Sequence, residues 1–194
     1  HSLFHFSKWM VLNEIIDAVA IKIDGFLLSV YSTTANVGIY NMSYEISGVP
    51  STEVAMPVAR ACTPSFSKLT DNFAEFSKMY VDTLSIVFTI VVPAATGVSL
   101  LAEPIVLVAL DDSWVDAIPV IQVLALYGLC RASYPTFISA SLASNRPDIL
   151  TKTSAIKAVY TVAILWYAVV EFGFMGLIWG VLIAGIIGVI IAQS

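Results

Sequence analysis

Apolar residues along this chain gather into long runs, broken by short clusters in which polar residues and turn-formers take over. Crossing a hydrocarbon core of about 30 Å takes about 20 mostly apolar residues in a helix. Six windows meet that need, near 9–31, 37–59, 82–102, 117–144, 155–171 and 174–192. The last two are the most apolar, while the first two are studded with polar groups. Between the second and third, Phe66, Leu69, Phe73, Phe76 and Tyr80 recur at helical spacing among Lys68, Asp71, Glu75 and Lys78, which predicts an amphipathic interfacial helix near 65–80. The pattern as a whole predicts an all-α, polytopic membrane helix bundle of about six transmembrane helices.

Composition supports the same class. Hydrophobic residues make up 58% of the chain and charged residues 12%, against roughly 25% charged in a soluble domain. The mean hydropathy of +0.88 leaves far more apolar surface than one water-exposed core can hide. A net charge of −5 without a basic cluster argues against nucleic acid as a partner. Cys62 and Cys130 stand far apart and the histidines, His1 and His5, sit at one end, so neither a metal site nor a structural disulfide is expected. No cofactor motif is present. The chain opens on His1 and closes on Gln193-Ser194 just as a hydrophobic helix finishes, so it is expected to be an excerpt from a longer protein.

Basic residues alternate between loops. Lys8 precedes the first window, Arg60, Lys68 and Lys78 fall between the second and third, and Arg146, Lys152 and Lys157 lie between or beside the fourth and fifth. The intervening loops, 32–36, 111–116 and the turn at Gly173, carry none. The positive-inside rule then places both ends of the segment in the cytoplasm. Trp9 at one interface and Trp166, Tyr167 and Trp179 at the other suit headgroup level. Gly176, Gly180, Ala184, Gly188 and Ala192 form a ridge of small side chains for close helix packing.

Charges inside a span cost about 2.5–3.5 kcal/mol each on insertion scales, so those that persist need a partner, a wet cavity or a role. In the first window Asn13, Asp17 and Asp24 fall within about 40° of one another at 100° per residue, with Tyr31 on the same line. Lys8 and Lys22 project the opposite way, and Gly25 is expected to break the helix. The acids fit either a buried ion pair that fixes packing or a substrate or ion site. In the second window Tyr40, Tyr44, Ser47 and Ser51 share a face, flanked by Asn41 and Glu45, and Pro50, Pro57 and Pro64 interrupt or bend the helix. In the fourth, Arg131 has Tyr127 and Tyr134 at i−4 and i+3. A guanidinium that shares one side with two aromatic faces fits either an anionic substrate or a structural salt bridge to a carboxylate. Asp111, Asp112 and Asp116 read as a solvated turn. No nucleophile–base pair or phosphate loop is evident.

Several stretches resemble a known family. Val37-Gly38-Ile39-Tyr40-Asn41 with Pro50, Met56-Pro57, Thr63-Pro64-Ser65-Phe66-Ser67, the run Ser113-Trp114-Val115-Asp116-Ala117-Ile118-Pro119 continuing to Leu126, and Leu142-Ala143-Ser144-Asn145-Arg146-Pro147 resemble bacterial lipid-linked oligosaccharide flippases of the multidrug, oligosaccharidyl-lipid and polysaccharide exporter superfamily. Asp111-Asp112 departs from it, standing where a glycine is expected. The resemblance implies one lobe of a two-lobe, non-enzymatic exporter in the bacterial inner membrane, the first lobe lying before His1. By alternating access it would carry an undecaprenyl-diphosphate-linked oligosaccharide. The cavity would use Asn13, Asp17, Asp24, Tyr40, Tyr44, Glu45, Tyr127, Arg131 and Tyr134. Asp17 and Asp24 would couple movement to a proton or sodium ion. A drug or metabolite exporter of the same superfamily has the same architecture. An integral membrane glycosyltransferase or polymerase is the enzyme alternative and should carry a long soluble loop.

Overall fold

The computed structural model describes residues 2–145 and 147–193; Arg146, and with it one of the basic residues counted above, lies outside them. Among the described residues every regular element is helical. Helix α1 (Ser2–Tyr31) runs unbroken through Gly25, contrary to expectation. A single glycine costs a helix only about 1 kcal/mol relative to alanine and need not break it. At about 1.5 Å per residue the 30 residues of α1 exceed the thickness of a hydrocarbon core.

Thr33 caps α2 (Thr34–Pro50) by accepting the Asn36 N–H. Pro50 has no N–H to give to the preceding turn, and the helix widens there into a π turn, Ser51–Ala55, before α3 (Met56–Lys68) resumes. The Ser51 and Thr52 hydroxyls back-bond to the Gly48 carbonyl at 2.8 and 3.2 Å. Pro50 thus produces a local widening rather than an end, and the second rod reaches Lys68.

The single interfacial helix expected near 65–80 does not form. Asn72 accepts the Glu75 N–H at 3.3 Å and starts a new helix, α4 (Phe73–Leu100), so a turn at 69–72 divides the amphipathic stretch. Phe66 and Phe76 close over that turn with ring centroids 5.3 Å apart. A short α5 (Ala102–Ala109) leads to the acidic turn, where Asp111 takes φ 152° and ψ 168°. That backbone is otherwise almost confined to glycine, which accounts for the glycine the family resemblance expected there.

Helices α6 (Ala117–Ala132) and α7 (Tyr134–Ala143) make one rod with a bend at Ser133, two residues before Pro135. The last helix, α8 (Pro147–Gln193), reverses at Gly173, whose φ of 65° and ψ of −147° only glycine adopts readily. Its arms, 147–172 and 174–193, pack side by side, and Tyr160 donates to the Ala184 carbonyl at 3.3 Å. Gly176 and Gly180 face this neighbouring arm, while Gly185 approaches Tyr127 of α6. The small-residue ridge therefore serves contacts within the bundle.

Phe73–Leu100, Ala117–Ala143 and Asp148–Ala192 are long and apolar enough to cross a bilayer, the last of them folded back on itself. With α1 and the α2–α3 rod they make up the six long rods of an all-α membrane bundle. The bent α6–α7 rod is central, touching α2, α3, α4 and α8. Leu28, Tyr40, Val120, Leu124, Leu165, Leu177 and Ile178 form the main core. Ile86, Ile90, Val159, Trp166, Trp179 and Ile190 stay exposed on the outside, where lipid is the solvent.

Candidate functional site

The polar positions of α1, α2 and α6 meet those of α8 around a cavity of about 370 Å³. From α1 come Asp17, Ala20 and Asp24, spaced to share one face. Asn13 continues that line but is buried outside the lining, its amide donating to Asp17 at 3.0 Å. The Asn13 Oδ1 is buried with no hydrogen-bond partner among the described residues. Tyr31, placed on the same line by spacing, is exposed at the helix end, and Lys8 and Lys22 are exposed as well.

On the α2 side a polar relay leads away from Asp24. Buried Tyr40 donates its hydroxyl to the Asp24 carboxylate. The Tyr40 ring lies 5.9 Å from that of Tyr44, and the Tyr44 ring 6.3 Å from that of Tyr127 on α6. Tyr40 is thus a wall behind the cavity, whereas Tyr44, Glu45 and Tyr127 line it. Removing the Tyr40 hydroxyl leaves a half-buried carboxylate with one donor fewer. Tyr40→Phe in the full-length protein is expected to lower stability by about 1–2 kcal/mol, read as thermal unfolding in detergent. Tyr31→Phe, at an exposed ring, is expected to change nothing measurable.

Arg131 lines the same cavity as Tyr127 and Tyr134. Its guanidinium lies over the ring of Tyr44 on α2, 5.0 Å from the centroid. The close crossing of α2 and α6 permits this. A Cβ on Gly128 would stand 3.2 Å from the Ser47 carbonyl oxygen, and one on Gly48 would stand 3.4 Å from the Arg131 Nη1. Among the described residues no carboxylate forms an ion pair with Arg131.

Tyr134, at the start of α7, has other partners. Its hydroxyl donates to the Asp17 carboxylate at 3.2 Å and lies 2.9 Å from the Ser154 hydroxyl. Lys157 stands over the face of the same ring, 4.4 Å from its centroid. Sequence reasoning grouped Lys157 with the loop charges, and the structure places it in the cavity wall. A signal was there to find. Thr153, Lys157, Tyr160 and Thr161 recur at helical spacing and all line the cavity, a polar stripe on an otherwise apolar helix. The site so formed holds two cations, three acids and several tyrosines inside a membrane bundle. That set can bind an anion, stack on sugar or ring faces and exchange hydrogen bonds with hydroxyls.

Comparison with known proteins bears on what occupies such a site. A family model described as "Polysaccharide biosynthesis protein" matches residues 1–119. The chain is 25% identical over 187 residues to the lipopolysaccharide biosynthesis protein WzxC of Escherichia coli (strain K12), covering 96% of this chain and 38% of that protein. It is 22% identical over 146 residues to the teichuronic acid biosynthesis protein TuaB of Bacillus subtilis (strain 168), covering 75% of this chain and 30% of that one. To the succinoglycan biosynthesis transport protein ExoT of Rhizobium meliloti (strain 1021) it is 24% identical over 170 residues, 88% of this chain and 34% of that one. The chain therefore spans less than two-fifths of these curated relatives. No solved structure gives a significant match.

Proposed function

We propose, since the chain belongs to the polysaccharide biosynthesis protein family, that it forms one lobe of a two-lobe exporter that moves lipid-linked oligosaccharide across the bacterial inner membrane. The observation that carries this reading is the cavity between these helices, where Arg131 sits over Tyr44 with no carboxylate paired to it among the described residues. A charge kept at that depth needs water or an anion. The diphosphate of a polyprenyl carrier supplies several acceptor oxygens to the guanidinium fork. Tyr44 and Tyr127 offer ring faces and hydroxyls to the first sugars. The names of the relatives place them in lipopolysaccharide, teichuronic acid and succinoglycan biosynthesis, and one is named a transport protein.

On this reading the protein binds and moves its substrate without breaking a bond in it. The missing lobe of the same chain closes the other side of the cavity, and alternating access exposes it to each leaflet in turn. Asp17 and Asp24 receive the proton or sodium ion that couples the movement. Deleting the gene in its host is expected to remove the surface polysaccharide and leave the lipid-linked repeat unit accumulated inside. The full-length protein should restore export. Accumulation of unglycosylated carrier in its place would point to the enzyme alternative.

The basic-residue alternation puts both ends of this segment and the turn at 69–72 in the cytoplasm. With cysteine substituted at Asp112 or Asn72 in a full-length protein free of other reactive thiols, a membrane-impermeant reagent applied to intact cells should label the Asp112 variant and spare the Asn72 variant. The opposite pattern would invert the topology.

A further inference from the structure

The apolar pattern ends the third window at 102, yet the structure carries helix on to Ala109. The Leu101 N–H donates to the Gly97 carbonyl and the Ile105 N–H to that of Leu101, each at 2.9 Å, so α5 follows α4 with its backbone bonding kept. One face of α5 is buried. Ala102 and Val106 pack in a core cluster with Ala117 and Ile121 of α6, and the Ser99 hydroxyl at the end of α4 donates to the Gln122 carbonyl at 3.4 Å. Helix α5 thus stands beside the first turns of α6. The stretch Ala117–Ala143, with 27 residues at about 1.5 Å each, is longer than a hydrocarbon core, so those first turns lie at one edge of it.

The other face of α5 is bare. Leu101, Leu107 and Val108 are exposed, Val108 to 88%. Ile90, Pro93, Gly97, Leu101, Pro104 and Val108 follow one another at steps of three or four residues, so one stripe runs from the lipid face of α4 into α5. Polar groups beside the stripe are compatible with lipid, because the Ser85, Thr89 and Thr96 hydroxyls donate to carbonyls one turn back at 2.8, 2.7 and 2.8 Å. Glu103, the only charge in Ala102–Ala109, sets the depth, since a carboxylate is costly below the headgroups. We infer that α5 is an interfacial helix, seated in the leaflet beside the acidic turn with Leu101, Leu107 and Val108 against the lipid chains. Lipid is the occupant because the bare face continues the lipid-facing surface of α4 with no change of chemistry. The inference goes beyond the export reading and does not depend on it.

Spin labels on single cysteines test it, in full-length protein free of other reactive thiols and reconstituted in phosphatidylcholine vesicles. Val108 is so exposed that a label there displaces no packed neighbour. Collisions of each label with oxygen, which dissolves in lipid, are compared with collisions with a water-soluble nickel chelate. The Val108→Cys label is expected to favour oxygen and to report a depth of about 5–10 Å below the headgroups. An Ile86→Cys label on the lipid face of α4 should favour oxygen more strongly and lie deeper, and an Asp112→Cys label should favour nickel. Three results at Val108 would overturn the inference with the export reading intact. A preference for nickel like that at Asp112 would put α5 in water. A depth equal to that at Ile86 would make it part of the span. Shielding from both probes would mean that protein, not lipid, covers this face.

Discussion

Cells that depend on the full-length protein for surface polysaccharide are expected to lose nearly all of it when Arg131 is replaced by alanine, with the protein still present in the membrane. Losing a charged hydrogen-bond donor from its anionic partner costs about 1.5–3 kcal/mol, or about 10- to 150-fold in binding. Arg131→Lys keeps the charge and loses the planar fork, so about a tenfold defect or less is expected. The setting makes the distinction readable. The guanidinium stacks on Tyr44 and packs by Gly48, and among the described residues it holds no carboxylate, so its removal strands no partner acid. Surface polysaccharide at matched membrane abundance is the measurement. Normal export in Arg131→Ala would remove this residue from the site. Loss of the protein from the membrane would make the residue structural.

The second large effect is on the fold. A Cβ added at Gly176 would run into the Ala168 carbonyl oxygen and the Phe172 Cβ, both on the facing arm of the α8 hairpin. Backbone cannot step aside as the end of a side chain can. Gly173 already fixes the reversal three residues earlier, so the arms have little freedom to spread. Gly176→Val is expected to destabilise the protein by about 3 kcal/mol, the upper end of overpacking costs, measured as loss of folded protein on heating in detergent. Gly97→Ala is the matched control. Nothing lies within 4 Å of its would-be Cβ, and a helical alanine there should be neutral or stabilising by up to about 1 kcal/mol. If both variants behave alike, the hairpin is not packed as described.

How far the molecule could be read from its sequence varied by element. Helix class and the approximate limits of the rods follow from hydropathy, since bilayer thickness sets a length that short soluble elements do not reach. Helix runs over 117–143 and over both arms about Gly173, the first arm starting at 147 and so well before the apolar window at 155. Elsewhere a local signal was outweighed by a neighbour. The aromatic period from Phe66 to Tyr80 reads as one helix, but the Asn72 cap starts a new one. Gly25 reads as a break, but an ordinary helix accommodates it. Within the site, the i−4 and i+3 neighbours of Arg131 were evident and its true stacking partner was not. Tyr44 comes from another helix, and the Tyr134 hydroxyl is taken up by Asp17. Lys157 was hidden for a different reason. Its position at the edge of a basic loop made a charge-counting explanation sufficient, although the stripe from Thr153 to Thr161 was in view.

The central claim is that the full-length protein carries a lipid-linked oligosaccharide between leaflets, using this cavity. It is tested most directly by reconstituting that protein in vesicles with a fluorescent polyprenyl-diphosphate oligosaccharide, under an imposed proton or sodium gradient. The fraction of label open to a membrane-impermeant quencher is then followed over time. The account predicts that wild-type vesicles redistribute the lipid between leaflets well above the rate of protein-free vesicles, while Arg131→Ala vesicles stay near the protein-free rate. Wild-type vesicles that redistribute the lipid no faster than protein-free ones under either gradient would contradict it.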